Sequence, residues 1–460
     1  MSFRFNREEV EGVTWRRLSG TAVGFSLLLS ASVACAQGQV QASFKDPIAA
    51  SPSTVPAVVP PELQLLVRQA LERHPEVLQS EAQSQAAYGL AKEARAQLGP
   101  AVVVGSSTGA QRQSLRAGNI SNGYQQLYAY VRLSLPLFDP GLKAQLAQRE
   151  QAAVGADWRW VGRREELMLD VLDAYVELQK ATRLLAISQA NLKMHREYLE
   201  LVKTIVRQDL GRASDVSTAA ARVALAEAVN INRLAQLEKS RLTFQSLVGV
   251  SAIDVRPELP KIVPAQSLDQ AYQLAMKNSP AIQVAQADLA VARYAVSAAR
   301  APYQPKVALD ATLKHGSDWG GVKGTQSDVY LGVQAEWRLW SGGATQASDK
   351  AAVANEAASR FALDKVRDDL QKQVGVFWFD FMAGNEVTRS YAEYFENARA
   401  SADATRQQFR VGRRSLIDVL NSENERFSAE SNLVTAQLDL VRASYRLLGI
   451  QGQLPGVLGL

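Results

Sequence analysis

The stretch Ser327-Asp328-Val329-Tyr330-Leu331-Gly332-Val333-Gln334-Ala335-Glu336-Trp337-Arg338-Leu339 decides the fold. Its odd positions hold Val329, Leu331, Val333, Ala335, Trp337 and Leu339; its even positions hold Asp328, Tyr330, Gly332, Gln334, Glu336 and Arg338. A period of two is that of a strand with one apolar and one polar face. The pattern predicts a strand near 327–340. The same alternation would suit a half-buried sheet in a water-soluble protein, so neighbouring segments must separate the two readings.

They do so by repeating the pattern. In 306–314, Val307, Leu309, Ala311 and Leu313 alternate with Lys306, Ala308, Asp310, Thr312 and Lys314. In 129–137, Ala129, Val131, Leu133, Leu135 and Leu137 alternate with Tyr130, Arg132, Ser134 and Pro136. A segment from 101 to 115 alternates poorly and leaves its register open. Glycine-containing loops, 117–123 and 316–324, join the strands 101–115 and 124–138, and 306–315 and 327–340, into two hairpins. Segments of about ten residues with one apolar and one polar face, carrying Tyr and Trp near their ends, fit a transmembrane β-barrel. Four strands cannot close a barrel, which needs about eight or more, and an open edge cannot sit in lipid. The chain must therefore assemble with copies of itself. Two copies give eight strands and three give twelve, and periodicity does not choose.

The hairpins are separated by long helices, and the whole pattern is written twice at an offset of about 200 residues. Arg73-His74-Pro75-Glu76 recurs as Lys277-Asn278-Ser279-Pro280, Leu137-Phe138-Asp139-Pro140-Gly141 as Leu339-Trp340-Ser341-Gly342-Gly343, and Leu210-Gly211-Arg212 with Asp215-Val216 as Val411-Gly412-Arg413 with Asp418-Val419. Each half reads as a helix (62–97; 267–300), two strands, a very long helix (142–208; 344–410), a turn and a medium helix (214–248; 415–448). The halves are 62–249 and 267–449, joined by a linker at 250–266 and followed by a tail at 450–460. The fold class is thus mainly α with β. Helices of about 67 residues are roughly 100 Å long, against roughly 30 Å for a small domain. They suit an extended antiparallel helical bundle.

Residues 1–36 read as a secretory signal: Arg16 and Arg17, an apolar run from Thr21 to Val33, and Ala34-Cys35-Ala36 as the cleavage site. Cys35 offers a second reading, cleavage before a lipidated cysteine, although Ser32 stands where a lipobox has Leu. Residues 37–61, rich in Ala, Ser, Pro and Val, read as an extended tether. No later segment is apolar for the roughly 18 residues that a membrane-spanning helix needs. A single cysteine excludes an internal disulfide, and three scattered histidines, His74, His195 and His315, read as ordinary surface residues rather than a metal site. A formal charge of +5 spread along the chain, without a basic stripe, gives no sign of a nucleic-acid partner. No phosphate loop or nucleophile–base pattern is recognisable, so neither an enzyme nor a cofactor is expected.

The duplicated helix-strand-strand-helix plan, the strand exits at 137–141 and 339–343, and the paired Gly…Asp-Val turns resemble the TolC family of outer-membrane channels over residues 62–450. The run from Val411 to Phe427 looks most like the type I secretion branch. The resemblance implies a homotrimer: a twelve-stranded barrel in the outer membrane, continued by a helical tunnel into the periplasm. It implies docking to a periplasmic membrane-fusion adaptor and an inner-membrane ABC transporter, or to an RND pump if the chain serves drug or metal efflux instead. A non-channel coiled-coil adaptor is a further alternative. By position, the resemblance makes Asp215 and Arg414 partners in a gate at the tunnel tip, with Asp418 lining the mouth. Phe409 stands where a gate tyrosine is usual and Asn421 where a second mouth carboxylate would be. Local chemistry alone would also explain this segment, because Ser415-Leu416-Ile417-Asp418 is a capping box and Ser214-Asp215 a helix cap with an acid in the first turn.

Overall fold

The computed structural model describes residues 59–115, 120–207, 213–249, 259–319 and 324–460. The signal at 1–36, the tether as far as 58, the loop tips at 116–119 and 320–323, the turn residues 208–212 and the linker as far as 258 lie outside the described residues.

Each half opens with two helices where the sequence pattern suggests one. Helices α1 (Pro61–Arg73) and α2 (Pro75–Ala96) are separated by His74, and α5 (Leu268–Asn278) and α6 (Pro280–Arg300) by Ser279. Both separators are extended, with ψ of 124° and 121°. The reason is the proline that follows each. It lacks an N–H and its ring pushes the preceding residue out of the helical region. The recurring motif in the sequence is therefore a helix break, conserved between the halves of the chain.

The strands β1 (Ala101–Leu115), β2 (Ile120–Phe138), β3 (Lys306–Ser317) and β4 (Thr325–Glu336) form one antiparallel sheet in the order β1-β2-β3-β4. The register of β1 is now set, from Ala101 opposite Ser134 to Leu115 opposite Ile120. The first hairpin loop is accordingly shorter than 117–123, and Gly316 and Ser317 belong to β3 rather than to a loop. Strand β4 stops at Glu336, four residues before the end that alternation suggests. Its partner β3 starts at Lys306, directly opposite Glu336, and is preceded by Pro305 and a 3₁₀ turn at Ala301–Tyr303. Residues 337–340 thus have no strand to pair with, and the Trp337 indole Nε1 donates instead to the Tyr303 carbonyl at 3.1 Å. Between β2 and β3 the register shifts at Pro136/Phe138, where a proline without a donor leaves room for a bulge.

Two helices of 67 residues follow the hairpins, α3 (Pro140–Val206) and α7 (Ala344–Arg410). The start of α3 is capped by Asp139, whose Oδ1 accepts from the Gly141 and Leu142 amides at 2.8 and 3.0 Å. Helix α4 (Ala213–Val248) returns along α3, and α8 (Leu416–Ile450) returns along α7. Because α4 already starts at Ala213, Ser214 lies inside its first turn rather than at its cap, and its carbonyl accepts from the Thr218 hydroxyl.

Two apolar clusters occupy equivalent places in the halves. One joins α1, α3 and α4 through Leu63, Val67, Val171, Leu172, Tyr175 and Phe244; the other joins α5, α7 and α8 through Ala271, Leu370, Val374, Phe381, Leu440 and Leu447. The end of the tether, read as extended from sequence, and the C-terminal tail both belong to the first cluster. Val59, in the last part of the tether, is buried there, and its carbonyl accepts from the Gln64 side-chain Nε2 at 2.8 Å. The tail at 450–460 forms α9 (Leu454–Leu458), whose Leu454, Val457 and Leu458 are fully buried. Both stretches carry too few apolar residues to show a periodicity, yet each buried Leu or Val contributes about 1.5–3 kcal/mol.

Glu165 on α3 gives this region a pH dependence. Burial pushes its carboxyl up to about 7, against the pull of Arg164. An acid whose pKa is higher in the folded state holds a proton that the unfolded chain has lost, so stability falls as pH rises from about 4.5 to about 7. Glu165→Gln should therefore leave stability unchanged at pH 4 and raise it at pH 8, which thermal unfolding in detergent at the two pH values would measure.

Candidate functional site

Register places the apolar residues of all four strands on one face. Val104, Val131, Leu313 and Val329 stand in one cross-strand row, and Val102, Leu133, Ala311 and Leu331 in the next. Leu135, Leu309 and Val333 continue the face, followed by Phe138, Val307 and Ala335. The face is open in the single chain: Val104 and Val329 are each 75% exposed and Leu331 71%. At its end, Phe138, Tyr303, Trp337 and Trp340 are also exposed, aromatic rings of the kind found where a membrane meets water. The opposite face carries Tyr128, Tyr130, Arg132, Thr312, Lys314, Asp328 and Tyr330. Val103 stands on that polar face, which is why β1 alternates poorly in sequence. Among the described residues no helix is long and apolar enough to cross a membrane.

At the far end of the long helices, the α3/α4 and α7/α8 hairpins pack together through Val202, Ala219, Leu416 and Leu420. Phe409 joins this cluster with its ring partly buried, so it acts here as an apolar contact. Asp418 closes a capping box: its Oδ2 accepts from the Ser415 amide at 3.1 Å, and the Ser415 Oγ accepts from the Asp418 amide at 3.2 Å. These bonds, and then the Arg414 guanidinium, hold its carboxyl below the usual carboxylate range. Arg414 donates from Nε to the Gln408 side chain at 3.0 Å, and no ion pair joins it to Asp215 among the described residues. Asp215 lies in the first turn of α4. Asn421 bridges the two hairpins, its Oδ1 accepting from Arg222 on α4 at 3.1 Å.

A buried charge cluster sits one turn above, and reasoning from sequence missed it. Glu423 on α8 is fully buried; its Oε1 accepts from the Arg406 guanidinium on α7 (Nε at 3.0 Å) and its Oε2 from Arg426 Nε at 2.9 Å. Burial pushes the nearby Tyr198 phenol on α3 above its ordinary value, against the pull of Arg406. His195 on α3 is 3% exposed, which corrects its reading as a surface residue. Burial, then the repulsion of Arg222, lower its pKa, while Glu423 acts the other way, so it remains neutral at pH 7. The signal was in the spacing: Glu423 follows Leu416 and Leu420 by seven and three residues, and His195 lies between Leu192 and Leu199. Both occupy positions on an apolar helix stripe. His74 is half-buried, and His315 on β3 pairs its Nδ1 with the Ser327 hydroxyl at 2.8 Å.

Comparison with known proteins agrees with this architecture. The family model described as outer membrane efflux protein matches the chain twice, over residues 66–250 and 271–453, in step with its two halves. AprF of Pseudomonas aeruginosa, an alkaline protease secretion protein, is 27% identical over 336 residues, which span 70% of this chain and 69% of AprF. The outer membrane efflux protein BepC of Brucella suis is 24% identical over 333 residues, spanning 70% of this chain and 72% of BepC. The structure of the outer-membrane channel OprN has the same fold with a TM-score of 0.78 at 22% identity, covering 90% of this chain and 96% of OprN. The open four-stranded sheet with its apolar face, the paired long-helix hairpins and the twofold family match lead to one conclusion: the chain belongs to the outer membrane efflux protein family, the TolC-type channels of the outer membrane.

Proposed function

We propose that three copies of this chain form the outer-membrane exit duct of a type I secretion system, passing a protein from an inner-membrane ABC transporter and a periplasmic adaptor to the exterior. The observation that carries the channel reading is the apolar face running in register across a sheet whose two edge strands, β1 and β4, are unpaired. Pairing β4 of one copy with β1 of the next satisfies both edges, and three copies give twelve strands. The helices support such an assembly. Ile231, Leu234 and Leu242 on α4 are exposed, as are Phe361 and Phe379 on α7, which stand about five turns apart on one line.

Protein export is favoured by the similarity to AprF, whose name is that of a protease secretion protein. Drug or metal efflux through the same duct is the second reading, favoured by the similarity to BepC. Deleting the gene and comparing secreted proteins with antibiotic susceptibility separates them. Loss of one secreted protein with unchanged susceptibility is expected; an intact set of secreted proteins with hypersensitivity would overturn protein export in favour of efflux.

In the same reading the helix tips are a gate. Asp215, Phe409, Arg414, Asp418 and Asn421 all belong to the tip region, and the Arg222–Asn421 bond ties one hairpin to the other. Asp418, repeated by symmetry, supplies an anionic ring that attracts cations at the mouth. Arg222→Ala should raise entry of large antibiotics such as vancomycin, read as a lower inhibitory concentration; an unchanged value would remove Arg222 from the gate.

A further inference from the structure

On the polar face of the sheet, two tyrosine rings lie along the backbone where side chains ordinarily stand away from it. A Cβ built on Gly105 would fall 2.5 Å from the Tyr130 Cζ and 2.6 Å from its hydroxyl oxygen. Tyr130 is the direct cross-strand partner of Gly105, so the ring occupies the space that glycine leaves empty. The same arrangement occurs within β4: a Cβ on Gly332 would fall 2.3 Å from the Tyr330 hydroxyl oxygen and 2.6 Å from its Cζ. Tyr330 and Gly332 are two residues apart and thus on one face. Each glycine is half-covered although the residues on either side of it are exposed, as a ring laid over it requires.

We infer that Gly105 and Gly332 set the bore of the barrel, because each lets a tyrosine ring lie flat against the inner wall. This rests on the barrel proposed above, in which the polar face lines the channel. A ring laid along the wall takes about the thickness of one aromatic plane from the radius, whereas a ring standing off takes its full length. With three copies, six rings are held out of the path. A wide bore suits a polypeptide cargo, and the ring faces, with the Arg132 guanidinium 5.6 Å from the Tyr130 ring centre, offer it an aromatic wall.

The glycines can be replaced without breaking the strands. In both cases the atoms in the way belong to the far end of a side chain that can swing aside, and alanine suits a strand interior better than glycine does. Gly316 differs, because its Cβ would meet backbone atoms of Leu127 and Tyr128, so it is a poor test position. The experiment inserts purified trimers into planar bilayers and adds polyethylene glycols of graded size to the barrel side. The largest polymer that still enters, detected by its effect on conductance, reports the bore.

Gly105→Ala with Gly332→Ala should shift the cut-off to smaller polymers, and adding Tyr130→Ala with Tyr330→Ala should restore it. An unchanged cut-off in an intact Gly105→Ala, Gly332→Ala trimer would overturn the inference. If that variant fails to assemble, Tyr130→Ala with Tyr330→Ala on the native glycines decides. Rings already against the wall predict little change in its cut-off, and a large increase would show that they stood in the bore. Absence of any pore from the unaltered protein would overturn the channel reading as well, whereas a conducting pore with the same cut-off in every variant overturns this inference alone.

Discussion

Leu331→Arg is expected to remove the protein from the outer-membrane fraction and to abolish its heat-modifiable oligomer, whereas Gln334→Arg should leave both in place. Leu331 stands in the middle of the apolar face, opposite Ala311 and 71% exposed in the single chain. A guanidinium on the lipid face of a barrel costs about 2–4 kcal/mol near the bilayer midplane. The cost recurs in every copy, so a trimer bears it three times. Gln334 lies on the opposite face, opposite Ala308, where an arginine meets water. A soluble sheet would make the opposite prediction, with both variants remaining in solution and neither fractionating with membranes. Retention of Leu331→Arg in the outer membrane would show that this face does not meet lipid.

Glu423→Ala is the second large effect. It leaves Arg406 and Arg426 without their shared carboxylate at a site where Glu423 itself is fully buried. Removing one partner of a buried pair costs about 3–5 kcal/mol; here both arginines are partly exposed and each keeps a second carboxylate, Asp403 at 3.1 Å and Glu430 at 3.3 Å, so roughly 1–2 kcal/mol is the better expectation. A change of that size shifts a balance between closed and open tips by about one power of ten. The cluster sits where α7 and α8 meet α3, so the loss loosens the junction between the hairpins. The expected readouts are higher single-channel conductance, faster proteolysis near 208–215 and 411–418, and increased antibiotic leakage in cells. Glu423→Gln should have a smaller effect, since it keeps an acceptor for one arginine. A tight channel with unchanged conductance in Glu423→Ala would confine the cluster to holding α7 against α8.

The strands were legible because membrane placement writes alternation directly into residues such as Val329 to Ala335. The duplication was legible because each half repeats its proline, glycine and aspartate landmarks. What sequence concealed has physical reasons. The breaks at His74 and Ser279 are set by Pro75 and Pro280, which alter the backbone without disturbing composition on either side. Burial of Val59 and α9 depends on a cleft that other elements build, and a short segment carries no period of its own. The end of β4 is set by where β3 starts, which is a property of the partner strand. At the tips, Asp418 was legible as a capping residue, and the bonds it makes are those of the capping box. The partner of Asn421 was not, because Arg222 is 199 residues away in the chain. Glu423 and His195 were visible as polar residues on apolar stripes, but a stripe does not say which charges will meet across it.

The proposed channel requires that the two open edges of the sheet be joined between copies, so that three chains complete one barrel. Native mass spectrometry of the protein extracted from the outer membrane in mild detergent tests it most directly. A single species with three times the mass of the mature chain is expected; a folded monomer that remains stable in the membrane extract would rule out the joined edges.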